Sequence, residues 1–330
     1  MKKKFLVIGS NSFSGSHFVN FLLDKNIEVI GLSRSKEINP VFLKYKKNFN
    51  INKFKFYKLD INNNLNFIKK VILNFKPTHI VNFASQSMVA ESWLYPNDWY
   101  RTNVISQIKL FDFLKNLSFI KKYVHISTPE VYGNTTKEMK EHKNYSPSTP
   151  YAISRAACDM HLSAMYINYK FPVVFTRAAN VYGPGQQLYR IIPKTIICAL
   201  KDEKLYLHGG GKSKRSFIHI NDVVRATYKV AISGKLNNVY HISTNKEISI
   251  KDLVNKLIKL LNKDPKKLIK KTKDRAGKDM LYSLSSEKIK KELKFIPEVK
   301  LDFGLNETIS WIMSNFKILR KINPVYKHKK

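Results

Sequence analysis

The first 180 residues alternate short apolar runs with segments of helical periodicity. Six of these runs are bounded by turn residues or by a helix, as buried strands are: 4–9, 27–33, 53–60, 79–85, 123–128 and 172–180. Between them, segments such as SGSHFVNFLLDK and LNFIKKVILNF repeat apolar residues at helical spacing. Strict alternation of strand and helix predicts an α/β fold, a Rossmann-like doubly wound parallel sheet.

After residue 181 the pattern loosens into glycine-rich turns and shorter helices. We expect the segment 216–232, SFIHINDVVRATYKVAI, to return to the sheet. The sequence therefore predicts a Rossmann domain made of residues 1–180 and 216–245. Residues 181–215 and 246–330 then form a smaller C-terminal substrate-binding region.

The charge of the chain is strongly positive, with 59 Lys and Arg against 24 Asp and Glu, or +35. Such a field attracts anions, including nucleotide diphosphates, nucleic acid and acidic membrane surfaces. The lysines are scattered, and aromatic residues of the kind that stack bases are not interleaved with them. Nucleic acid is therefore not the favoured partner, although the scarcity of acids keeps a polyanionic partner open.

Cysteine, histidine and apolar content exclude several classes of protein. Two cysteines, Cys158 and Cys198, give no disulfide framework and suit a reducing compartment. No run approaches 18 apolar residues, so no membrane span is predicted and a cytoplasmic location is expected. The nine histidines have no paired ligand spacing, so no metal site is predicted.

The stretch VIGSNSFSGSHFV (7–19) reads as strand, glycine-rich turn and helix, the context of a dinucleotide site. Gly9 and Gly15 permit the tight turn, and the helix amides would hold a pyrophosphate, while Ser12 stands where the middle glycine is usual. An ordinary turn between strand and helix is the structural alternative. Gly31 replaces the acid typical of NAD sites and Arg34 follows, which favours NADP over NAD.

Candidate acid–base chemistry lies in HISTPEVYGN (125–134) and SPSTPYAISRAACD (146–159). Tyr151 and Arg155 share a helix face, and a cation beside a phenol favours its ionised form. Thr128 stands at a strand end, with Glu130 two residues on and therefore expected to point the same way. Such a phenol exchanges a proton with a sugar alcohol while hydride moves to or from nicotinamide. The Tyr–Arg spacing alone is commonplace.

The chain resembles the extended short-chain dehydrogenase/reductases, and within them the nucleotide-sugar 4,6-dehydratases, from about residue 5 to 315. Thr128, Tyr151 and Arg155 match the family's S/T…Y-x-x-x-K, with Arg in place of Lys. ANVYGPGQQLYRIIPKTI, GGGKSKRSFIHINDV and DRAGKD match dTDP-glucose 4,6-dehydratase segments, whereas EVIGLSRS and ASQSMVAES are closer to the GDP-mannose type.

The resemblance implies a 4-keto-6-deoxy sugar nucleotide as product and a tightly bound NADP or NAD that is recycled. Tyr151 would take the C4 hydroxyl proton, and Glu130 the C5 hydrogen as water leaves from C6. Pro129 stands where the dTDP-glucose type has Asp, but the GDP-mannose type has Ser there, so Glu130 would serve as base and then acid. Arg155 would be the supporting cation.

The resemblance also implies further contacts and a homodimer, formed through helices at 98–117 and 154–170, although the apolar stripes of these helices equally suit burial against the sheet. The expected cofactor contacts are Gly9, Ser12, Phe13, Gly15, Arg34, Asp60, Ile61, Ala84, Asn103, Tyr151 and Arg155. Asp60, at the end of the third strand, is expected to bond the adenine amino group. The expected substrate contacts are Ser87, Asn180, Arg190, Arg215 and Arg275.

Three alternatives remain open. A nucleotide-sugar 4-epimerase would share Tyr151 but lack the Glu, and a UDP-glucuronate decarboxylase would share the hydroxyl–x–Glu arrangement. The third is a retired enzyme scaffold that binds a dinucleotide or RNA, since Ser12, Pro129 and Arg155 depart from the family pattern. Seven other motif residues remain, which argues against decay.

Overall fold

The described part of the chain, residues 2–134, 137–273 and 281–329 of the computed structural model, alternates strands and helices. The strands are β1 (Lys4–Ile8), β2 (Glu28–Ser33), β3 (Phe54–Lys58), β4 (His79–Asn82), β5 (Lys122–Ile126), β6 (Val173–Ala178), β7 (Asn180–Tyr182), β8 (Leu205–His208), β9 (Lys214–His219), β10 (Val239–Ile242), β11 (Glu247–Ser249), β12 (Ile269–Thr272) and β13 (Leu281–Tyr282). The helices are α1 (Phe13–Asp24), α2 (Leu65–Phe75), α3 (Val89–Leu94), α4 (Pro96–Tyr100), α5 (Ser106–Leu114), α6 (Pro150–Tyr169), α7 (Ile191–Leu200), α8 (Ile220–Ser233), α9 (Ile250–Leu260), α10 (Pro265–Leu268), α11 (Glu287–Leu293), α12 (Leu301–Ser314) and α13 (Phe316–Leu319).

The main sheet has seven parallel strands in the order β10-β6-β5-β4-β1-β2-β3. The order reverses between β1 and β4, and ligands of open parallel sheets bind at the carboxyl ends of strands beside such a switch point. One face of the sheet carries a core with residues of α1, α8 and α11, and the other a core with residues of α2, α5 and α6. The predicted doubly wound parallel sheet is confirmed.

Side chains and proline fix where the helices near the switch point begin. Ser12 caps α1, because its hydroxyl accepts a hydrogen bond from the Gly15 amide at 3.0 Å. Thr149 caps α6 in the same way through the Ala152 amide at 3.2 Å. Pro150 follows at the first helical position, where a missing N–H costs nothing. Both caps place the first turn of a helix at the carboxyl end of the sheet.

The segment 216–232 reaches the main sheet differently from the prediction. Its strand, β9, lies in a smaller sheet, where it pairs with β7, β11 and β13. Helix α8 then packs against the main sheet, and β10 joins that sheet beside β6. The strand was misassigned because an apolar run does not specify which of two sheets it pairs with.

The smaller region is built mainly from the second half of the chain, and Phe42 from the first half joins its core. Its core joins buried residues of α7, α9 and α12, and β8 pairs with β12 in a separate two-stranded sheet. None of the helices in the described ranges is long and apolar enough to cross a membrane. The same residues contain no cluster of three or more His, Cys, Asp or Glu side chains suited to a metal ion.

Candidate active site

The glycine-rich turn after β1 is a cradle that a side chain at either glycine would fill. Gly9 has φ +84°, and a Cβ there would lie 2.8 Å from the Ala84 backbone nitrogen. A Cβ on Gly15 would lie 2.2 Å from the Gly9 carbonyl oxygen. Ser12 has φ −71°, so the chain does not need glycine at this position. The turn and the amino end of α1 therefore fit a dinucleotide pyrophosphate.

The end of β2 carries both an arginine and an acid. Arg34 is half-buried, and its Nη1 donates to the Lys329 carbonyl oxygen at 2.9 Å. Glu37, which the sequence prediction did not single out, accepts a hydrogen bond from the Tyr45 hydroxyl at 2.8 Å. That hydroxyl also lies 3.3 Å from Asn11 Oδ1 in the glycine-rich turn. Glu37 is thus connected through Tyr45 to the glycine-rich turn, although Gly31 occupies the position where an acid was expected.

Three further predicted cofactor residues, Asp60, Ile61 and Ala84, lie at or near the carboxyl ends of β3 and β4. Asp60 is half-buried, and its carboxylate accepts bonds from the Asn62 amide at 2.9 Å and the Asn63 side chain at 3.1 Å. Ile61 is buried in the core. Ala84 donates its amide to Asn82 Oδ1 at 2.9 Å. Their predicted cofactor contacts stay predictions.

Asn103 lies in a π-helical turn, Arg101–Ile105, that interrupts the helix predicted at 98–117. It is fully buried and joins the loop after β4 by two bonds, from the Gln86 amide at 2.8 Å and to the Gln86 carbonyl at 3.0 Å. Its Nδ2 also donates to the Ser154 hydroxyl at 3.0 Å. Asn103 therefore positions the loop after β4 against α6, and its direct contact with a cofactor stays a prediction.

Thr128, Pro129 and Glu130 form a short turn, not the strand end that the sequence predicts. β5 ends at Ile126, and a 3-10 turn runs from Pro129 to Tyr132 with Thr128 as its cap. The Thr128 hydroxyl accepts from the Glu130 amide at 3.3 Å. Pro129 takes the first position of the turn, where its fixed φ and missing N–H are tolerated. The common direction of Thr128 and Glu130 comes from this turn.

Tyr151 is buried at the start of α6, and the Thr128 hydroxyl hydrogen-bonds its phenol. Burial raises the pKa of Tyr151, and the nearby Glu130 carboxylate raises it further. Arg155, the bond with Thr128 and the Arg190 guanidinium act in the opposite direction, toward a lower pKa. The phenol thus lies among the predicted acid–base groups. The cations lower its pKa less than burial raises it, so the net shift of the pKa is upward.

Arg155 is 2 % exposed and turns toward β5. Its Nη2 donates to the Ile126 carbonyl and to His125 Nε2. Because the pKa of His125 is lowered well below its ordinary value by burial and by the adjacent arginines, its ring is neutral and accepts this bond. Arg155 Nη1 is buried and has no partner among the described residues. A buried, unsatisfied donor beside Tyr151 fits a ligand hydroxyl.

A buried ion pair supports the turn that carries Thr128 and Glu130. Asp159 Oδ2 accepts from Arg177 Nη2 at 2.8 Å and from the Ser127 hydroxyl at 2.5 Å. The Arg177 guanidinium also lies over the rings of Tyr132 and Tyr145, with centroids 4.5 and 4.9 Å away. The turn is therefore held on both sides by fully buried groups.

A cavity of about 90 Å³ lies beside this turn and joins residues from both parts of the molecule. Thr128 and Glu130 line it from the main sheet, and Asn180 and Arg215 line it from β7 and β9. Arg190 is the residue immediately before α7, and its charge acts on the Tyr151 phenol. Six residues predicted for catalysis or substrate binding thus surround one small region.

A family model described as GDP-mannose 4,6 dehydratase matches residues 6–308. The chain belongs to this family. The predicted resemblance to the extended short-chain dehydrogenase/reductases of the nucleotide-sugar 4,6-dehydratase type is therefore confirmed. The fold agrees, since the structure of the dTDP-glucose 4,6-dehydratase DesIV from Streptomyces venezuelae, with NAD and TYD bound, superimposes with a TM-score of 0.88. It is 30% identical, over 95% of this chain and 98% of that one.

Curated members of the dehydratase family show similar identity. Human dTDP-D-glucose 4,6-dehydratase is 32% identical over 326 residues, 95% of this chain and 91% of the human protein. A trifunctional UDP-glucose 4,6-dehydratase/UDP-4-keto-6-deoxy-D-glucose 3,5-epimerase/UDP-4-keto-L-rhamnose-reductase of Arabidopsis thaliana is 31% identical over 325 residues. The chain spans about half of that relative, 47% of its length.

One predicted substrate residue of this dehydratase-family chain, Ser87, does not line the cavity. Ser87 is exposed in the loop after β4, next to the buried Gln86. Arg275 lies outside the described residues. The sequence prediction gave no role to Gln86, although it lies in the quoted ASQSMVAES stretch, or to the segment 322–329, which contacts it. The signal that would have revealed this segment is an every-second-residue alternation, with Ile322, Tyr326 and His328 as its larger members.

Proposed function

We propose that this chain is an NAD(P)-dependent nucleotide-sugar 4,6-dehydratase that forms a 4-keto-6-deoxy sugar nucleotide. The observation that carries the proposal is the position of Glu130. Its carboxylate lies beside the Tyr151 phenol and lines the same cavity as Thr128 and Arg215. A base for a second proton, next to a tyrosine that handles the first, is needed for elimination and not for simple epimerisation.

Tyr151 removes the proton of the C4 hydroxyl, and Thr128 binds the same oxygen. The hydrogen bond between the two side chains supports this pairing, because one substrate oxygen can then contact both. Burial excludes water from the phenol, so the proton exchanges with the substrate. Arg155 favours the phenolate form of Tyr151 through its positive charge.

Glu130 takes the proton from C5, which the new 4-keto group has made acidic, and water leaves from C6. Pro129 carries no proton donor, so Glu130 hands its new proton to the departing oxygen. The 3-10 turn supports this double role because the Glu130 amide donates a hydrogen bond to the Thr128 hydroxyl at 3.3 Å and so holds the two residues together. The Glu130 side chain is then both the base that takes the C5 proton and the acid that protonates the departing oxygen.

The residues suited to hold the dinucleotide are Gly9, Ser12 and Gly15 at the pyrophosphate and Arg155 at a ribose hydroxyl. A bound dinucleotide would supply the hydride acceptor for oxidation at C4 and the hydride donor for reduction at C6. Asn180, Arg190 and Arg215 face the nucleotide sugar, with Ser87 and Arg275 as further predicted contacts. Arginine suits the diphosphate because its planar fork matches phosphate oxygens.

Mass spectrometry of reactions with dTDP-glucose, GDP-mannose, CDP-glucose and UDP-sugars tests the proposal. We expect one of these substrates to lose the mass of water without net consumption of NAD. Loss of carbon dioxide, or inversion at C4 without loss of mass, would replace the dehydratase with the decarboxylase or the epimerase. Binding of RNA with no reaction of any sugar would favour the retired scaffold.

Replacing Arg155 with Met is expected to move the pH dependence of C4 oxidation upward. The base in this step is the phenolate of Tyr151, and loss of the nearby cation raises the pKa of the phenol further. The rate should therefore fall at neutral pH and recover as the pH rises. Arg155→Lys keeps the charge and is the control. Identical pH profiles for the Met variant and the unaltered chain would contradict this role.

We further propose that the chain forms a homodimer through the outer face of α6. Ile153, Met160 and Ile167 recur every seven residues on this helix and are 40, 56 and 62% exposed. Residues spaced by seven lie along one helix face, so the three form an apolar stripe that the described residues leave exposed. A second copy of the chain would bury the stripe.

Met160→Lys is expected to weaken the dimer about tenfold or more, because a charge would be buried without a partner. Met313→Lys is the matched control, since Met313 is 57% exposed on α12, away from the stripe. Light scattering over a concentration series measures the change. Equal dimerisation of both variants, or a monomeric unaltered chain, would contradict the proposed interface.

A further inference from the structure

The segment after α13 lies on the surface outside any helix or strand, and its residues alternate between partly buried and exposed. Ile322, Pro324, Tyr326 and His328 are partly buried, whereas Lys321, Asn323, Val325, Lys327 and Lys329 are exposed. Ile322 packs against the core of the smaller region. Such alternation is typical of an extended segment with one face packed on a surface.

Three contacts fix this segment on both parts of the molecule. The Tyr326 ring meets Tyr189 edge to face, with centroids 5.3 Å apart. His328 stacks on Tyr95 and Trp99, at 4.7 and 5.1 Å, and its Nε2 lies 2.7 Å from Asp98 Oδ2. The first contact lies beside Arg190 of the smaller region, and the second lies on helices of the main-sheet domain.

The last contact crosses the dinucleotide site. The Lys329 carbonyl oxygen accepts from Arg34 Nη1 at 2.9 Å and from Gln86 Nε2 at 2.7 Å. Arg34 follows β2 and Gln86 follows β4, and β1 lies between these two strands in the sheet. The carbonyl therefore bridges the two sides of the strand that ends in the glycine-rich turn.

We propose that residues 322–329 form a strap that makes the dinucleotide site selective for NAD over NADP. The proposal rests on the proposed NAD(P)-dependent function and adds the determinant of cofactor choice. An arginine at the end of β2 is the counter-ion that a 2′-phosphate needs. In this chain the Lys329 carbonyl oxygen of the strap accepts a hydrogen bond from Arg34 Nη1 and places a partial negative charge beside the guanidinium. NADP binding must displace this contact, whereas a ribose with a free 2′-hydroxyl brings no added charge to Arg34.

A redox-neutral reaction is compatible with such a strap. A dehydrogenase must release its reduced cofactor in every cycle, so a strap across the site would slow each turnover. A 4,6-dehydratase recovers its oxidised cofactor within the cycle. The strap can therefore stay closed while nucleotide sugars enter and leave.

Calorimetric dissociation constants for NAD⁺ and NADP⁺, measured without nucleotide sugar, test the strap. We expect the unaltered chain to prefer NAD⁺. In His328→Ala the ratio of the NADP⁺ constant to the NAD⁺ constant should fall about tenfold. A chain that ends at Lys321 should show the same fall or a larger one, and Arg34→Ala in that shortened chain should remove the gain for NADP⁺. Val325→Ala, on the exposed side of the strap, is the control.

Two results would overturn the proposal. An unchanged ratio in both strap variants would mean that the strap does not affect cofactor choice. Loss of both dinucleotides would mean that the strap builds the site without selecting between them. Because no sugar is present, these results are independent of which sugar reaction the chain performs, and failure of the dehydration test leaves the binding ratio interpretable.

Discussion

Glu130→Gln is expected to stop water loss while hydride transfer from C4 continues. The amide cannot take the C5 proton, and removal of a positioned general base lowers a rate by about 10²- to 10⁴-fold. Tyr151 and Thr128 are unchanged, so C4 oxidation proceeds. With excess nucleotide sugar, the absorbance of reduced nicotinamide should rise and persist, and mass spectrometry should detect no dehydrated product.

Glu138→Gln is the matched control for this variant. Glu138 is exposed and lies eight residues further along the chain. Its replacement by Gln makes the same change of charge and shape as Glu130→Gln. It should turn over like the unaltered chain. If Glu130→Gln loses water at the unaltered rate, Glu130 is not the base of the elimination. The site would then offer no argument for a dehydratase over an epimerase.

Tyr151→Phe is expected to stop the reaction one step earlier, at the oxidation of C4. The substitution keeps the ring that packs at the start of α6 but removes the phenol hydroxyl, the group proposed to take the C4 hydroxyl proton. The rate of hydride transfer should fall by about 10²- to 10⁴-fold. Stopped-flow absorbance of reduced nicotinamide, with enzyme in excess over nucleotide sugar, measures this step in isolation.

Tyr169→Phe is the matched control, because Tyr169 is on the same helix and 60% exposed. The two active-site variants differ in a diagnostic way, since only Glu130→Gln should accumulate reduced nicotinamide. Normal C4 oxidation in Tyr151→Phe would exclude the phenol as the base. Equal accumulation in the two variants would contradict the division of proton transfers between Tyr151 and Glu130.

The sequence was sufficient to predict the strands with strong apolar runs and the motif residues that follow them. β1, β2 and β4 fall within predicted segments because parallel strands buried on both faces are continuous apolar runs. It did not reveal β10, whose four residues form a weak signal. It also placed β9 in the main sheet, because pairing partners are decided by tertiary contacts that periodicity does not encode.

At the site, the sequence predicted which residue types meet but not how each is held. Glu130 was expected on a strand, yet Pro129 starts a turn that presents it. Arg155 was expected beside Tyr151 on one helix face, and its bonds to His125 and Ile126 depend on the distance between α6 and β5. The strap over Arg34 joins residues 295 positions apart, which no local pattern predicts.

The central claim is that the hydride removed from C4 returns to C6 of the same sugar. A nucleotide sugar with deuterium at C4, chosen as the substrate that loses water, tests it most directly. Mass spectrometry and proton NMR of the product should find the deuterium in the C6 methyl group. Deuterium that is returned to C4, or that remains on the nicotinamide after turnover, would contradict the account.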